Sequence, residues 1–383
     1  MGNVPILSIC DLSLVKRILI TDFHVFNDRS KRIVSNGAFV IQAIWGEVDF
    51  DASRSILSPA HTGSKLRQIY PTVDTRLQAL DTHLSALMGT DRAVVDVARL
   101  WRAFTCDVYP ACGLSLDTRP YDAPENTLAA HVRRFVQIDI RKDLVSLALP
   151  PFAAKWPKIS DYRVMAYLIE MYREYLIKRR RGNMSKRKYL DFLELTTGNM
   201  GEHDLGNYAD KVSDGDTSMP VNTNMIDHVA AISKPVYTDT ELLALSFAFS
   251  TGGITSTACA LTACVYELAL NPAIQSRLYR EIVGTDNDMS YEACERLPYL
   301  DAVVSETLRL HTPNVRLLRI ASADYDLGDT GITIPAGQHI EIPLYAIHHS
   351  AEYYSEPYTF NPDRFMPENA STLVPYAYLP FGA

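Results

Sequence analysis

Two groups of residues in this chain carry chemistry by their type and spacing. One is the run Gly252-Gly253-Ile254-Thr255-Ser256-Thr257, set within a stretch from Leu242 to Tyr266 that holds no charged residue. Hydroxyls on an otherwise uncharged helix serve either a polar group in an adjoining pocket or the carbonyls of their own helix. The other is Glu306 and Arg309, three apart and so neighbours on one side of a helix. There a forked guanidinium can take both oxygens of a carboxylate. The ten histidines show no metal-ligand spacing, and the rings of His348-His349 cannot both face one side of a helix or strand. Cys10, Cys106, Cys112, Cys259, Cys264 and Cys294 form neither a C-x-x-C pair nor a dense framework. In a chain this long they read as buried free thiols of a reducing compartment.

The elements that must hold these residues follow from periodicity. Val4 to Cys10 alternates weakly as a strand and ends at Asp11, a helix cap, after which Leu12, Val15, Ile18 and Leu19 keep a helical period to Ile20. Helices are predicted over 53–70, 73–88 and 92–105, and a long amphipathic one over 161–181 after the break at Pro150-Pro151. Lys178-Arg179-Arg180-Arg181 reads as a solvated helix end with cations near the negative pole of the dipole, or else as a membrane-surface patch or localisation signal. Residues 198–224, rich in Gly, Asn, Asp and Ser, read as one long mobile loop. Thr238-Asp239 caps the uncharged helix, which runs to Asn271-Pro272, and another helix covers 273–283.

Leu300, Val303, Val304, Thr307 and Leu308 make a helical stripe with Glu306 and Arg309 roughly opposite it. Periodicity alone therefore makes them an exposed ion pair worth under about 1 kcal/mol. Gly331 to Pro343 predicts two short strands joined by a Pro-Ala-Gly turn. The fold class is mainly α with small β-sheets, in a single domain over 1–383.

With 383 residues, 47% apolar and 21% charged, the chain can bury a large core and is not globally disordered. A net charge of −8 spread along it argues against nucleic acid as a partner. The first residues lead straight into the strand-like run rather than a signal peptide, and Met1-Gly2 is half a myristoylation motif, with Ile at position six. The uncharged stretch is long enough to cross a bilayer. Its Ser246, Ser250, Thr251, Gly252, Gly253, Thr255, Ser256, Thr257 and Thr262 suit instead a helix buried in protein and lining a pocket.

The downstream motifs supply a resemblance. Glu306-Thr307-Leu308-Arg309, then Asn361-Pro362-Asp363-Arg364-Phe365, then Pro380-Phe381-Gly382, resemble in order and separation the C-terminal third of a cytochrome P-450. Tyr266-Glu267-Leu268-Ala269-Leu270-Asn271-Pro272 and Leu297-Pro298-Tyr299-Leu300-Asp301 are similar in texture to the animal microsomal group with the family 3 drug-metabolising enzymes. The resemblance implies a buried network of Glu306, Arg309 and Arg364 behind the haem loop. It places Gly252 to Thr257 on the oxygen-activation motif [AG]-G-x-[DE]-T-[TS]. Ser256 then takes the threonine position that helps deliver protons, Thr255 replaces the usual acid, and Gly253 lets the cofactor approach the helix. Arg54 and Arg319 would hold the haem propionates, with Phe50 and Asp51 as departures beside Arg54. Phe381 belongs to the cofactor loop, and Phe247, Phe249, Pro313, Leu317 and Leu318 to the substrate pocket, where Arg316 is an unusual charge.

By that resemblance the cofactor is haem b, with NADPH acting only through NADPH–cytochrome P-450 reductase. The substrate is a lipophilic small molecule, and the site of action is the cytosolic face of the endoplasmic reticulum membrane, at the membrane surface. The expected chemistry is that of a haem-thiolate monooxygenase. In the family P-F-G opens a loop whose cysteine binds iron, and here that cysteine lies beyond Ala383, so no metal ligand is assigned. The expectation is an incomplete fold: the N-terminal anchor and first strand, and the thiolate loop, following helix and last strands, lie outside the sequence. Apolar surface would stay exposed and the chain as given would be inactive. The alternatives are an isomerase or dehydratase of the same fold that needs no reductase, motivated by Thr255, or a non-catalytic paralogue or pseudogene product.

Overall fold

The computed structural model describes residues 5–28, 62–89, 94–118, 121, 239–285 and 288–382, with side chains of the long central helix described from Gly252 onward. Strand β1 (Ile6–Ser8) leads into α1 (Leu12–Lys16), which continues as a wider π turn over Arg17–Thr21. Asp11 caps α1, its carboxylate accepting from the backbone N–H of Ser13 at 2.9 Å and of Leu14 at 3.0 Å.

Helix α2 (Gly63–Met88) is continuous through Pro71, where the sequence pattern gives two helices divided at the proline. Proline removes one backbone donor. Leu80 and Leu84, packed against Leu100 and Phe104 of α3 (Val97–Leu114), hold the segment in one piece. Helix α3 likewise runs past Thr105 and through Pro110, because Cys106, Ala111 and Cys112 prolong its buried side.

Helix α4 (Asp239–Leu270) spans 32 residues and packs mainly on α3, with its C-terminal part against a later helix. Asn271 and Pro272 end it and start α5 (Pro272–Val283), as predicted. The short α6 (Tyr291–Cys294) precedes α7 (Pro298–Leu310). The first turn of α7 is anchored by Glu281 of α5, whose carboxylate accepts from Tyr299 N and Leu300 N, both at 2.9 Å.

Strands β2 (Leu317–Ile320), β3 (Tyr325–Asp326), β4 (Thr333–Ile334) and β5 (His339–Ile342) follow, then α8 (Leu344–His348) and two 3₁₀ turns, Pro362–Phe365 and Pro367–Thr372. The main sheet has the order β1-β5-β2, with β1 parallel and β2 antiparallel to β5. The two strands expected around the Pro-Ala-Gly turn are present but do not pair with each other, since β4 joins β3. Both strands bury side chains in one core, Ile334 of β4 beside Ile340 and Ile342 of β5 with Val15, Ile18 and Phe26, so burial alone does not set the pairing. Gly337, at φ 82°, makes the turn between them.

Two expectations about burial need correction. The described part of α4, expected to be buried in protein, is buried only at Ile254 and Ala258 and, on the opposite side near its end, at Glu267. It is long and apolar enough to cross a membrane by length and composition. Of the six cysteines, none in a disulfide, only Cys106 and Cys112 are fully buried, while Cys10 and Cys259 are exposed. Burial pushes the Cys106 and Cys112 thiols up to about 12, so these two are inert.

Candidate functional site

Helix α7 carries the central feature. Glu306 and Arg309 are both fully buried, and the guanidinium grips the carboxylate in a fork, Nε to Oε2 at 2.7 Å and Nη2 to Oε1 at 2.8 Å. The spare capacity of each group is used. Arg309 Nη1 donates to the carbonyls of His348 at 2.7 Å and Pro357 at 2.8 Å. Glu306 Oε1 accepts from Asn361 N at 2.9 Å and from Arg364 Nε at 3.4 Å. Arg364 is tied in turn to Ser355 Oγ at 3.3 Å and Glu356 O at 3.0 Å. The reading from periodicity, an exposed pair, fails because α7 is enclosed on the side opposite its apolar stripe. Val304, a stripe residue, is 43% exposed while Glu306 and Arg309 are at 0%.

From this network one link runs to the end of the described chain. His348, the last residue of α8 and fully buried, accepts the backbone N–H of Leu379 on its Nε2 at 3.0 Å. Its ring is 5.9 Å from that of Tyr378, which packs at 4.6 Å on Phe365. Beyond Leu379 the chain turns at Pro380-Phe381-Gly382, closed by Gly382 N donating to Leu379 O at 3.2 Å, with Gly382 at φ 95°. Phe381 is 89% exposed.

Burial lowers the His348 imidazole from its ordinary value to about 4. Between about pH 6.5 and about pH 4 the unfolded chain then binds a proton that the folded chain refuses. Stability is full above that window and is lost as pH falls through it, by about 3 kcal/mol for this group. Urea-unfolding midpoints at pH 7 and pH 4.5 should show the loss, and His348→Gln should diminish it.

The second feature is the groove of α4. A Cβ on Gly253 would stand 2.0 Å from Cε1 of Tyr109 on α3, so that side of the glycine is filled by the tyrosine ring. The phenol continues to Thr257, one turn on, with its oxygen 2.8 Å from Thr257 Oγ1. The glycine expected to admit a cofactor thus admits an aromatic ring, and the neighbour with open space is Gly252, where nothing lies within 4 Å of a Cβ. Ser256 donates to Gly252 O at 2.7 Å, and half-buried Thr255 is the remaining hydroxyl of the run.

At the helix's end Glu267, buried, meets His311 Nε2 at 2.6 Å, tying α4 to the C-terminus of α7. Neither Tyr109, His348 nor His311 was marked by the sequence pattern. Their partners lie 148, 31 and 44 positions away, and the only local hint was the pair of adjacent glycines.

On β2, Arg319 is 6% exposed and donates from Nη1 to Leu318 O at 2.9 Å. It shares its sheet face with Leu317, Ile340 and Ile342. Arg316 pairs with Glu341 at 3.0 Å, half-buried. Leu317 and Leu318 are adjacent on the strand and point to opposite faces, so both cannot line one pocket. Leu317 packs on the main core and lies beside Gly382, while Pro313 is half-buried. Arg54, the loop over 198–224, and the side chains of Phe247 and Phe249 lie outside the described residues.

This donor set fits a haem in two respects. A buried guanidinium on an otherwise apolar sheet face has the chemistry for a carboxylate, and Gly252 leaves an open stretch of helix surface. Among the described residues no cluster of three or more His, Cys, Asp or Glu is placed to hold a metal.

Comparison with known proteins gives one consistent result. The family model described as Cytochrome P450 matches residues 1–383. The chain is 27% identical over 396 residues to Cytochrome P450 3A18 of Rattus norvegicus, covering 100% of this chain and 72% of that protein. It is 29% identical over 395 residues to Cytochrome P450 3A11 of Mus musculus, covering 100% and 72%. Thromboxane-A synthase of Macaca fascicularis is 28% identical over 405 residues, covering 100% and 74%.

Proposed function

The chain belongs to the cytochrome P450 family, and from that premise we propose that it works as a haem-thiolate monooxygenase on lipophilic small molecules. Family members are oxidoreductases that use haem iron and receive electrons through a reductase. The partner is NADPH–cytochrome P-450 reductase and the setting the cytosolic face of the endoplasmic reticulum membrane, in keeping with the microsomal relatives. The observation that carries the reading is the fully buried Glu306–Arg309 fork joined by Arg364, the network that the family pattern leads one to expect behind the haem loop.

When bound, the haem supplies dioxygen activation. Arg319 is the residue to hold its propionates, from the strand next to the Leu379–Gly382 turn; Arg54 and Phe381 are assigned to the same cradle by the family pattern. Gly252 leaves room against α4. Ser256 holds an exchangeable proton on the open side of that helix, and Thr255 stands beside it where the family has an acid. The hydroxyl of Ser256 now rests on Gly252 O and can rotate toward a bound ligand. Pro313 and Leu318, with Phe247 and Phe249, are the apolar residues assigned to the substrate.

Reconstitution of the native protein with the reductase, NADPH and a panel of lipophilic substrates tests this. Oxygenated product is expected, and Ser256→Ala should lower its formation by about 10²-fold. Absence of haem uptake by the wild-type protein would sink the reading. The threonine at 255 and the similarity to thromboxane-A synthases favour one second reading, an isomerase of the same fold. Product formed from an already oxygenated substrate without NADPH would select it.

A further inference from the structure

We propose that His348 is the positioning residue of the Leu379–Gly382 turn, carrying the geometry of the Glu306–Arg309 fork onto the backbone that leads toward the cofactor. This rests on the reading above that Pro380-Phe381-Gly382 opens the haem loop.

His348 is used in two directions at once. Its carbonyl takes Arg309 Nη1 at 2.7 Å, which fixes the end of α8 to the buried fork. Its side chain reaches the other way, Nε2 accepting Leu379 N at 3.0 Å. An imidazole nitrogen that accepts an amide proton carries none itself, so the ring is neutral with its proton on Nδ1. A protonated ring has no acceptor to offer, and an apolar ring of the same size would leave the Leu379 N–H buried and unmet.

The bond that closes the turn, from Gly382 N to Leu379 O, lies within the turn itself. Leu379, at 3% exposure, is where the described segment is gripped, by its side chain in the core and by His348 at its amide. Tyr378, next to Leu379, lies against the His348 ring and is packed in turn by Phe365 of the 3₁₀ turn that follows Asn361, whose amide is held by Glu306. The fork thus reaches the turn by two routes, through α8 and through Asn361.

The test begins with the wild-type protein. Imidazole ¹⁵N spectra should show His348 protonated on Nδ1 alone at pH 7; a proton on Nε2 overturns the proposal. Amide exchange then separates holding from filling. His348→Phe keeps the volume and removes the acceptor, and should speed exchange of the Leu379 amide by about tenfold or more. His348→Gln keeps an acceptor near the Nε2 position and should restore most of the protection. Equal exchange in the two variants overturns the proposal.

In the native protein the haem absorption band should shift in His348→Phe and return in His348→Gln. A band unmoved despite faster exchange also overturns the positioning role. Failure of the wild-type protein to take up haem is a different result, and refutes the loop reading rather than the link from His348 to Leu379.

Discussion

Replacing Arg309 with alanine is expected to cost about 3–5 kcal/mol, a large share of the roughly 5–15 kcal/mol that keeps a typical domain folded. Among the described residues the change leaves Glu306, at 0% exposure, with the Asn361 amide at 2.9 Å and the longer contact from Arg364 at 3.4 Å. It also strips donors from the carbonyls of His348 and Pro357 and vacates the space of the largest fully buried side chain among the described residues. Arg309→Lys keeps the charge but has no fork to span Oε1 and Oε2, and should recover under half of the loss. The contrast is Arg67, paired with Glu292 at 2.8 Å with both side chains about half exposed, where alanine should cost under about 1 kcal/mol. Urea midpoints and soluble yield for the three variants decide the matter. An Arg309→Ala protein within 0.5 kcal/mol of wild type, an error-sized difference, would remove the network from the account.

The same fork shows where sequence reasoning reaches its limit. A hydrophobic stripe tells which side of a helix is apolar, and the inference that the other side is wet assumes a helix with one neighbour. Helix α7 has the Asn361–Phe365 turn and α8 (Leu344–His348) on its polar side, so Glu306 and Arg309 are enclosed by segments that begin 38 or more residues downstream of Glu306. Local periodicity carries no information about that enclosure. The downstream motifs do, because Asn361 and Arg364 are the groups that complete the carboxylate's partners.

Element type was readable wherever a cap or a long period marked it, as at Asp11 and Asn271-Pro272. Strand pairing was not. Thr333-Ile334 and His339–Ile342 flank a good turn and bury side chains in one core yet join different sheets, since strands two and four residues long are placed by the partners they pair with, Tyr325-Asp326 for one and Ile6–Ser8 with Leu317–Ile320 for the other. Arg319, assigned to the cofactor by the family pattern, lies buried on its strand, while the side chain packed into the α4 groove, Tyr109, is 148 positions from its partner and had no local signal of its own.

That tyrosine makes two adjacent glycines respond in opposite ways to the same substitution. Gly252→Ala places a methyl in open space on a helix, where alanine is favoured over glycine by about 1 kcal/mol, so the variant should be more stable. Gly253→Ala drives a methyl to 2.0 Å from the Tyr109 ring. The ring cannot yield by rotating about its axis, because Cδ1, Cε1 and Cζ all lie within 2.5 Å of the new atom. It must withdraw from the groove and give up Thr257, or α3 and α4 must part, at a cost of about 1–3 kcal/mol that outweighs the helix gain. In a Tyr109→Ala background the obstruction is gone, and Gly253→Ala should turn neutral or stabilising there. The coupling between the two positions should therefore exceed about 1 kcal/mol. Thermal unfolding of the four members of that cycle, with Gly252→Ala as the control, checks it. An equal penalty for Gly253→Ala in both backgrounds would mean that something other than Tyr109 demands the glycine, and would return Gly253 to the cofactor's side of the helix.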